Sequence, residues 1–406
     1  MTFQPGIDRL LADNQRMQTL KSARVGLVAH PASITGSNLH TMDALTQAGI
    51  NVTLAFGPQH GMRGDKQDNM IESEDYADPV HGIPVVSLYG AHRRPTDEML
   101  ADIDIVLFDL QDIGCRIYTY ITTLFYFCEA CARVGREIWV LDRPNPAGRP
   151  VDGLYLDPGE ESFVGCAPMP TRHGLTVAEL ASWFRQQIMA AGGGETPLVS
   201  CPMSGYKPDE PPGYGWPVNQ RPWVNPSPNA ASLNMARCFP GTVLLEGTTL
   251  SEGRGTTVPL EVLGAPELPV TELVAEMNDL VPDWLSAAYI RECFFSPTFH
   301  KHEGELCRGI QIHTDYPGYQ HDRFKPYRLI AGMLKTIRRW HQDYELWRHH
   351  EYEYELDRIP VDVINGGPGL REWVDDGARG FEELDQTLLR TESRWLSERA
   401  PHLIYP

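Results

Sequence analysis

Three neighbouring segments decide the fold: "DIVLFDLQD" (Asp104–Asp112), "YTYITTLFYFCEACARVG" (Tyr118–Gly135) and "EIWVLDRPNPAG" (Glu137–Gly148). The first and third are short apolar runs that end at polar residues. The middle one is a long apolar stretch closed by glycine, the usual residue just past a helix C-terminus. Strands that read as continuous apolar runs and are joined through a helix belong to a parallel sheet covered on both faces. The same alternation runs upstream. "ARVGLVAH" (Ala23–His30), "NVTLAFGPQHG" (Asn51–Gly61) and "IPVVSLYG" (Ile83–Gly90) read as strands. "LHTMDALTQAG" (Leu39–Gly49) and "TDEMLADI" (Thr96–Ile103) read as helices, the second with Thr96 as its N-cap. The fold class is therefore α/β.

After about Gly153 the texture changes. A loop leads into an amphipathic helix through Trp183, and "AAGGGETP" is a further loop. Prolines and aromatics then crowd into Pro202–Pro228, which reads as an ordered, extended crossing between domains. Beyond it, "TVLLEGTTLSEGRGTTVPLEVLGAP" (Thr242–Pro266) holds strand-like pieces around a glycine-rich turn, and "GIQIHTD" reads as a strand. "TELVAEMNDL", "PYRLIAGMLKTIRRWHQDYELW" and the C-terminal segment from Phe381 read as helices. At 406 residues the chain is expected to form two domains, 1–205 and 206–406.

Composition narrows the function. A net charge of -19 argues against nucleic acid and anionic membranes as partners. No stretch of about 18 apolar residues occurs, and the first residues lack the apolar core of a leader, so the expected location is cytoplasmic. The eight cysteines are scattered; the single CxxC, Cys128 and Cys131, lies in a helical segment with no second pair. Reduced, buried thiols are the expectation. The first strand ends "VAHPASITG" rather than G-x-G-x-x-G, and no GxxxxGK[ST] occurs, so no nucleotide cofactor is expected. His30, His60, His81, His92 and His173 have no short-spaced pairing, and the HxH at His300 and His302 lies away from the strand ends. No metal is expected, although a metal-dependent hydrolase of another bond stays open as an alternative.

In a parallel sheet the ligand crevice lies beyond the carboxyl ends of the strands. Those ends are His30–Pro31, Gly57–Gly64, Tyr89–Gly90, Asp109–Arg116 and Asp142–Asn145, and all five are polar or glycine-rich. Carboxylates among arginines suit acid–base chemistry on a substrate with its own negative charge. The candidates are Gln59, His60, Arg63, Asp65 and Glu72; Asp112, Arg116 and Tyr118; Arg143 and Asn145; Arg172 and His173; and Glu246, Glu252 and Arg254. For Asp142 and Arg143, a salt bridge that fixes a turn is an equal alternative. Asp109 can be read as a buried helix cap.

These motifs occur together in one known order. "GLVAHPASIT", "FGPQHGMRGD", "IPVVSLYG", "FDLQDIGCRIYTYITTL", "VLDRPNPAG", "PTRHGLTVAEL", "PSPN" and "EGTTLSEGRGTTVPLEVLGAP" resemble the NamZ-type exo-β-N-acetylmuramidases, glycoside hydrolase family 171. The resemblance runs from "GIDRLL" to "PHLIYP". It implies a Rossmann-like parallel-sheet domain, then a smaller mixed α+β domain, with the site in the cleft between them. The implied activity is release of β-linked N-acetylmuramic acid from non-reducing ends of peptidoglycan-derived fragments. The implied partner is a small amino-sugar or muropeptide, met during cell-wall recycling; no oligomeric state follows. The lactyl carboxylate of that sugar would give Arg63, Arg116, Arg143, Arg172 and Arg254 a role, with Asn229 of "PSPN" beside them. Members commonly read P-E-H-G, and that glutamate is a leading catalytic candidate. Here the position is Gln59, whose amide does not titrate. Either Glu72, Asp112 or Glu252 takes the role, or the chain is a sugar-binding protein with lost or altered catalysis.

Overall fold

The structure is a computed structural model that describes residues 2–64 and 71–406. Its strands, in chain order, begin with β1 (Val25–Ala29), β2 (Val52–Gly57), β3 (Tyr76–Ala77), β4 (Pro84–Ser87), β5 (Ile105–Asp109) and β6 (Glu137–Leu141). β7 (Asp152–Tyr155) and β8 (Pro170–Arg172) form a separate antiparallel ribbon, and β9 (Leu198–Cys201) returns to the main sheet. That sheet runs β3-β4-β2-β1-β5-β6-β9 and is parallel except at the β3–β4 edge.

The side-chain alternation of β1 shows why the strands read as unbroken apolar runs. Val28 packs with Phe108, Leu124, Phe127 and Phe184 on one face, under the helices Tyr120–Val134 and Val177–Ala190. Leu27 and Ala29 pack with Ile7, Leu10, Met42 and Leu45 on the other. Both faces are covered, so neither can carry a polar row. The register pairs Ala29 with Asp109, which brings the carboxyl ends of β1 and β5 level at one edge of the sheet. Gly135 ends the helix Tyr120–Val134 in the left-handed conformation, at φ 65°. Thr96 caps the helix Asp97–Ala101 by accepting from the Met99 N–H.

All five expected strands are present, and two more join them. β3 has two residues and β9 four, three of them half-buried, so neither shows a usable period. The helix expected to run through Trp183 continues to Ala190. In the second half, β10 (Val262–Ala265), β11 (Tyr289–Phe295) and β12 (Cys307–His313) form an antiparallel sheet ordered β10-β12-β11. The segment Val243–Gly247, read as strand-like, is instead a 3-10 helix. β11 was not legible because it is an edge strand with only Cys293 buried.

The division at residues 205 and 206 remains our proposal for the domain layout, and the packing couples the two parts closely. One hydrophobic cluster runs from Val28 and Phe108 to Leu329 and Trp395. Trp395, on the last helix (Phe381–Arg399), meets Trp183 edge-on at 5.0 Å and donates its indole N–H to the His173 carbonyl at 2.6 Å. All eight cysteines are free thiols, and burial pushes the Cys131 thiol up to about 12. Among the described residues no helix is long and apolar enough to cross a membrane.

Candidate active site

The chain leaves β2 at Gly57, where a Cβ would lie 2.9 Å from the Met62 nitrogen, so only glycine fits. Pro58–Gly61 then turns sharply, with the Gly61 N–H donating to the Pro58 carbonyl at 2.8 Å. His60 sits at φ 71°, a left-handed conformation that few non-glycine residues adopt. The turn buries Gln59 and His60. The Gln59 amide is fixed at both ends: Oε1 accepts from Thr119 Oγ1 at 2.9 Å, and Nε2 donates to Glu353 Oε1 at 3.1 Å. Thr119 stands at the N-cap of the helix Tyr120–Val134 but gives that helix no side-chain cap; its hydroxyl goes to Gln59.

Glu353 reaches this point from the other half of the chain. It lies at the tip of a two-residue turn closed by two bonds between Tyr352 and Glu355, at 3.1 and 2.9 Å. Glu353 and Tyr354 both have positive φ, 45° and 72°. Such primed turns normally carry Asn-Gly, and each non-glycine residue held left-handed costs about 1–2 kcal/mol. Backbone strain of this kind persists where the surroundings over-determine it. Here the surroundings are specific: Glu353 Oε2 accepts from the Tyr89 phenol at 2.9 Å, and Oε1 accepts from Gln59. Burial pushes the Glu353 carboxyl up to about 7, against the hydrogen bonds from Tyr89 and Gln59 that pull it down. A carboxyl so placed carries a proton for part of the time at neutral pH and can deliver it.

A second carboxylate faces the same space. Glu246, in the 3-10 helix Val243–Gly247, pairs with Arg254 at 2.6 Å and accepts from the Tyr352 phenol at 2.7 Å. Gln59, His60, Tyr118, Asn229, Glu246, Arg254 and Glu353 together line a pocket that encloses about 60 Å³, or about 500 Å³ with the open space at its mouth, and Ile117, Val164, Met235, Phe239 and Leu260 complete its walls. Its walls come from both halves of the chain. The Tyr118 phenol is buried beside Ser227 and Tyr120.

Six of the candidates expected from sequence thus meet here: Gln59, His60, Tyr118, Asn229, Glu246 and Arg254. The other described candidates lie elsewhere. Glu252 is fully buried behind Arg254, 2.6 Å from Lys301 and 3.1 Å from the Arg254 Nε. Burial opposes its charge, but Lys301, His300 and Arg254 outweigh burial and hold the carboxyl far below the usual range. That makes it an anchored anion and a poor proton carrier. Asp112 caps its own loop through the Gly114 N–H at 2.7 Å and stands 3.4 Å from His173 Nε2, outside the cavity. Glu72 is exposed and does not line it. Asp65 falls outside the described residues.

The arginines are correspondingly revised. Arg143 is buried against Asp109 at 2.5 and 2.7 Å. Arg116 donates to the Ile364 and Asn365 carbonyls, at 3.1 and 2.6 Å, and ties the two halves together. Arg172 donates to the Ala147 and Phe324 carbonyls. Arg63 pairs with Asp78 at 2.8 Å and Asp43 at 3.3 Å. The Asn145 amide donates to the Gly148 and Leu175 carbonyls at 3.2 and 3.0 Å. Each is occupied by the protein itself; only Arg254 lines the cavity, already paired with Glu246. Among the described residues no group of three or more His, Cys, Asp or Glu side chains is arranged to hold a metal.

The comparisons with known proteins cover the whole site. Residues 25–234 match the family model described as "Exo-beta-N-acetylmuramidase NamZ, N-terminal", and residues 237–405 match its C-terminal counterpart. The chain belongs to the NamZ family. It is 37% identical over 404 residues to the peptidoglycan beta-N-acetylmuramidase NamZ of Bacillus subtilis (strain 168), covering 99% of this chain and 91% of that one. Two crystal structures of DUF1343 family proteins from Bacteroides fragilis NCTC 9343 share the fold. One has a TM-score of 0.86 at 27% identity, the other 0.74 at 25%, each covering 100% of this chain and 99% of its own. In this NamZ-family chain, Glu353 was the carboxylate that sequence reading passed over. The alternation of Glu and Tyr in "HHEYEYELD" (His349–Asp357) gives no usable signal, because the segment turns at Glu353 and Tyr354 and buries the adjacent Tyr352 and Glu353 together.

Proposed function

We propose that the chain is an exo-acting glycosidase that releases β-linked N-acetylmuramic acid from the non-reducing ends of peptidoglycan-derived fragments. The observation that carries this reading is the contact of Gln59 with the buried Glu353, whose carboxyl burial pushes up to about 7, in a pocket that also holds Glu246. Glu353 is the general acid: its proton passes to the glycosidic oxygen as the bond from that oxygen to the anomeric carbon breaks. Glu246, held by Arg254 and Tyr352, is the second carboxylate, facing the positive charge that develops on the ring. Water then adds to the anomeric carbon and gives up a proton to the Glu353 carboxylate, which restores the acid. Gln59 is a positioning residue that holds the Glu353 carboxyl through its amide. The full set of free thiols supports a reducing compartment, and hence recycling of fragments, as the setting.

The test is to incubate the chain with a disaccharide of N-acetylmuramic acid β-linked to N-acetylglucosamine and measure the free sugars. Release of N-acetylmuramic acid by the natural chain, lost in Glu353→Gln, supports the reading. A natural chain that releases nothing contradicts it. One observation favours a second reading, a sugar-binding protein with lost catalysis: Gln59 stands where the family's usual glutamate is expected. Hydrolysis that appears only in Gln59→Glu would select that alternative.

A further inference from the structure

Glu353 lines two cavities. The second, which Gln59 does not line, is a cleft of about 1150 Å³ including space open to solvent, walled by Ala91–Arg94, Thr96, Glu161–Phe163 and Tyr354. Its inner wall is aromatic: Tyr126 and Phe163 stack at 6.4 Å, and Tyr354 meets Phe163 edge-on at 6.1 Å. Arg93 lies 3.7 Å over the Tyr354 ring. Its neighbour Arg94 is engaged by Glu129, but Arg93 has no carboxylate in ion-pair range among the described residues. Its guanidinium is braced by the ring, with donors left for a ligand.

An acid that protonates a glycosidic oxygen stands between the ring that stays and the group that leaves. The Gln59 pocket is the narrower of the two and holds the second carboxylate, Glu246, which assigns it to the ring that stays; the wider cleft, open to solvent, is then on the leaving side. We propose that this second cleft is the leaving-group site: it binds the saccharide that departs with the glycosidic oxygen, against the Tyr354–Arg93 stack, with Arg93 donating to its hydroxyl and acetamido oxygens. This rests on Glu353 acting as the acid. It also explains how an exo-acting site handles long chains, since the departing part extends toward solvent.

The test compares two substrates that share N-acetylmuramic acid at the non-reducing end. One carries a nitrophenyl group, too small to fill the cleft; the other carries a trisaccharide. The variants are Arg93→Leu and Ala91→Trp, the second placing bulk in the cleft from an exposed loop position. Each lowers kcat/KM for the saccharide by about tenfold or more and leaves the nitrophenyl substrate within about twofold. Equal losses on both substrates, or none on either, overturn the proposal. If the natural chain cleaves neither substrate, the hydrolase reading has failed on its own, and calorimetric titration with N-acetylglucosamine disaccharide still reads the cleft. Binding that is lost in both variants supports the site, and absence of binding to the natural chain overturns it.

Discussion

The amide of Gln59 donates to one oxygen of Glu353 and the phenol of Tyr89 donates to the other, so both contacts favour the carboxylate while burial favours the acid. The balance, a carboxyl titrating at about 7, fixes a sign. General-acid catalysis needs the proton, so kcat/KM on a saccharide leaving group falls as pH rises through about 7. Gln59→Leu removes a donor to the charged form and moves that descending limb to higher pH. Gln59→Glu moves it the same way, because a second carboxyl repels the charge. A limb that stays in place in both variants would exclude Glu353 as the group being titrated. The raised pKa also couples to folding: its contribution to stability is present below the ordinary carboxylate range and is lost as pH rises through about 7. Gln59 was legible as a decisive position because its loop ends a recognisable strand. Glu353 was not, because 294 residues separate the two and its turn lacks the glycine or asparagine that normally marks one.

At the scale of elements, the strand ends explain where the charged residues went. Ala29 and Asp109 lie in register, and Arg143 is the second residue after β6, so Asp109 and Arg143 meet inside the sheet edge with no room for solvent. Thr41 completes the group with a 2.5 Å bond to Asp109. Arg143→Met leaves a buried, unpaired carboxylate and costs about 3–5 kcal/mol of stability. Urea unfolding checks this; Arg143→Met with unchanged stability and a raised KM would restore Arg143 to the substrate. The parallel strands were legible since burial on both faces leaves an unbroken apolar run. The side-chain partners of Asp109 or Arg116 were not, because an arginine that binds carbonyls across the fold is spelled like one that binds a ligand.

For the whole molecule, one hydrophobic cluster spans both halves, and the last helix packs its Trp395 on Trp183 of the first. The account therefore predicts one cooperative thermal transition, with calorimetric and van't Hoff enthalpies equal. Two separated transitions would show halves that fold independently. The same joining of halves places Gln59 and Glu353 in contact, and the central claim is that their cavity breaks a glycosidic bond by proton transfer from Glu353. The most direct measurement compares the natural chain with Glu353→Gln on a β-linked N-acetylmuramic acid substrate, once with a saccharide and once with a nitrophenyl leaving group. Nitrophenolate departs with little need of a proton. The account predicts a loss of about 10²–10⁴-fold in kcat/KM on the saccharide and a much smaller loss on the nitrophenyl substrate. Equal rates for the two proteins on the saccharide would contradict it.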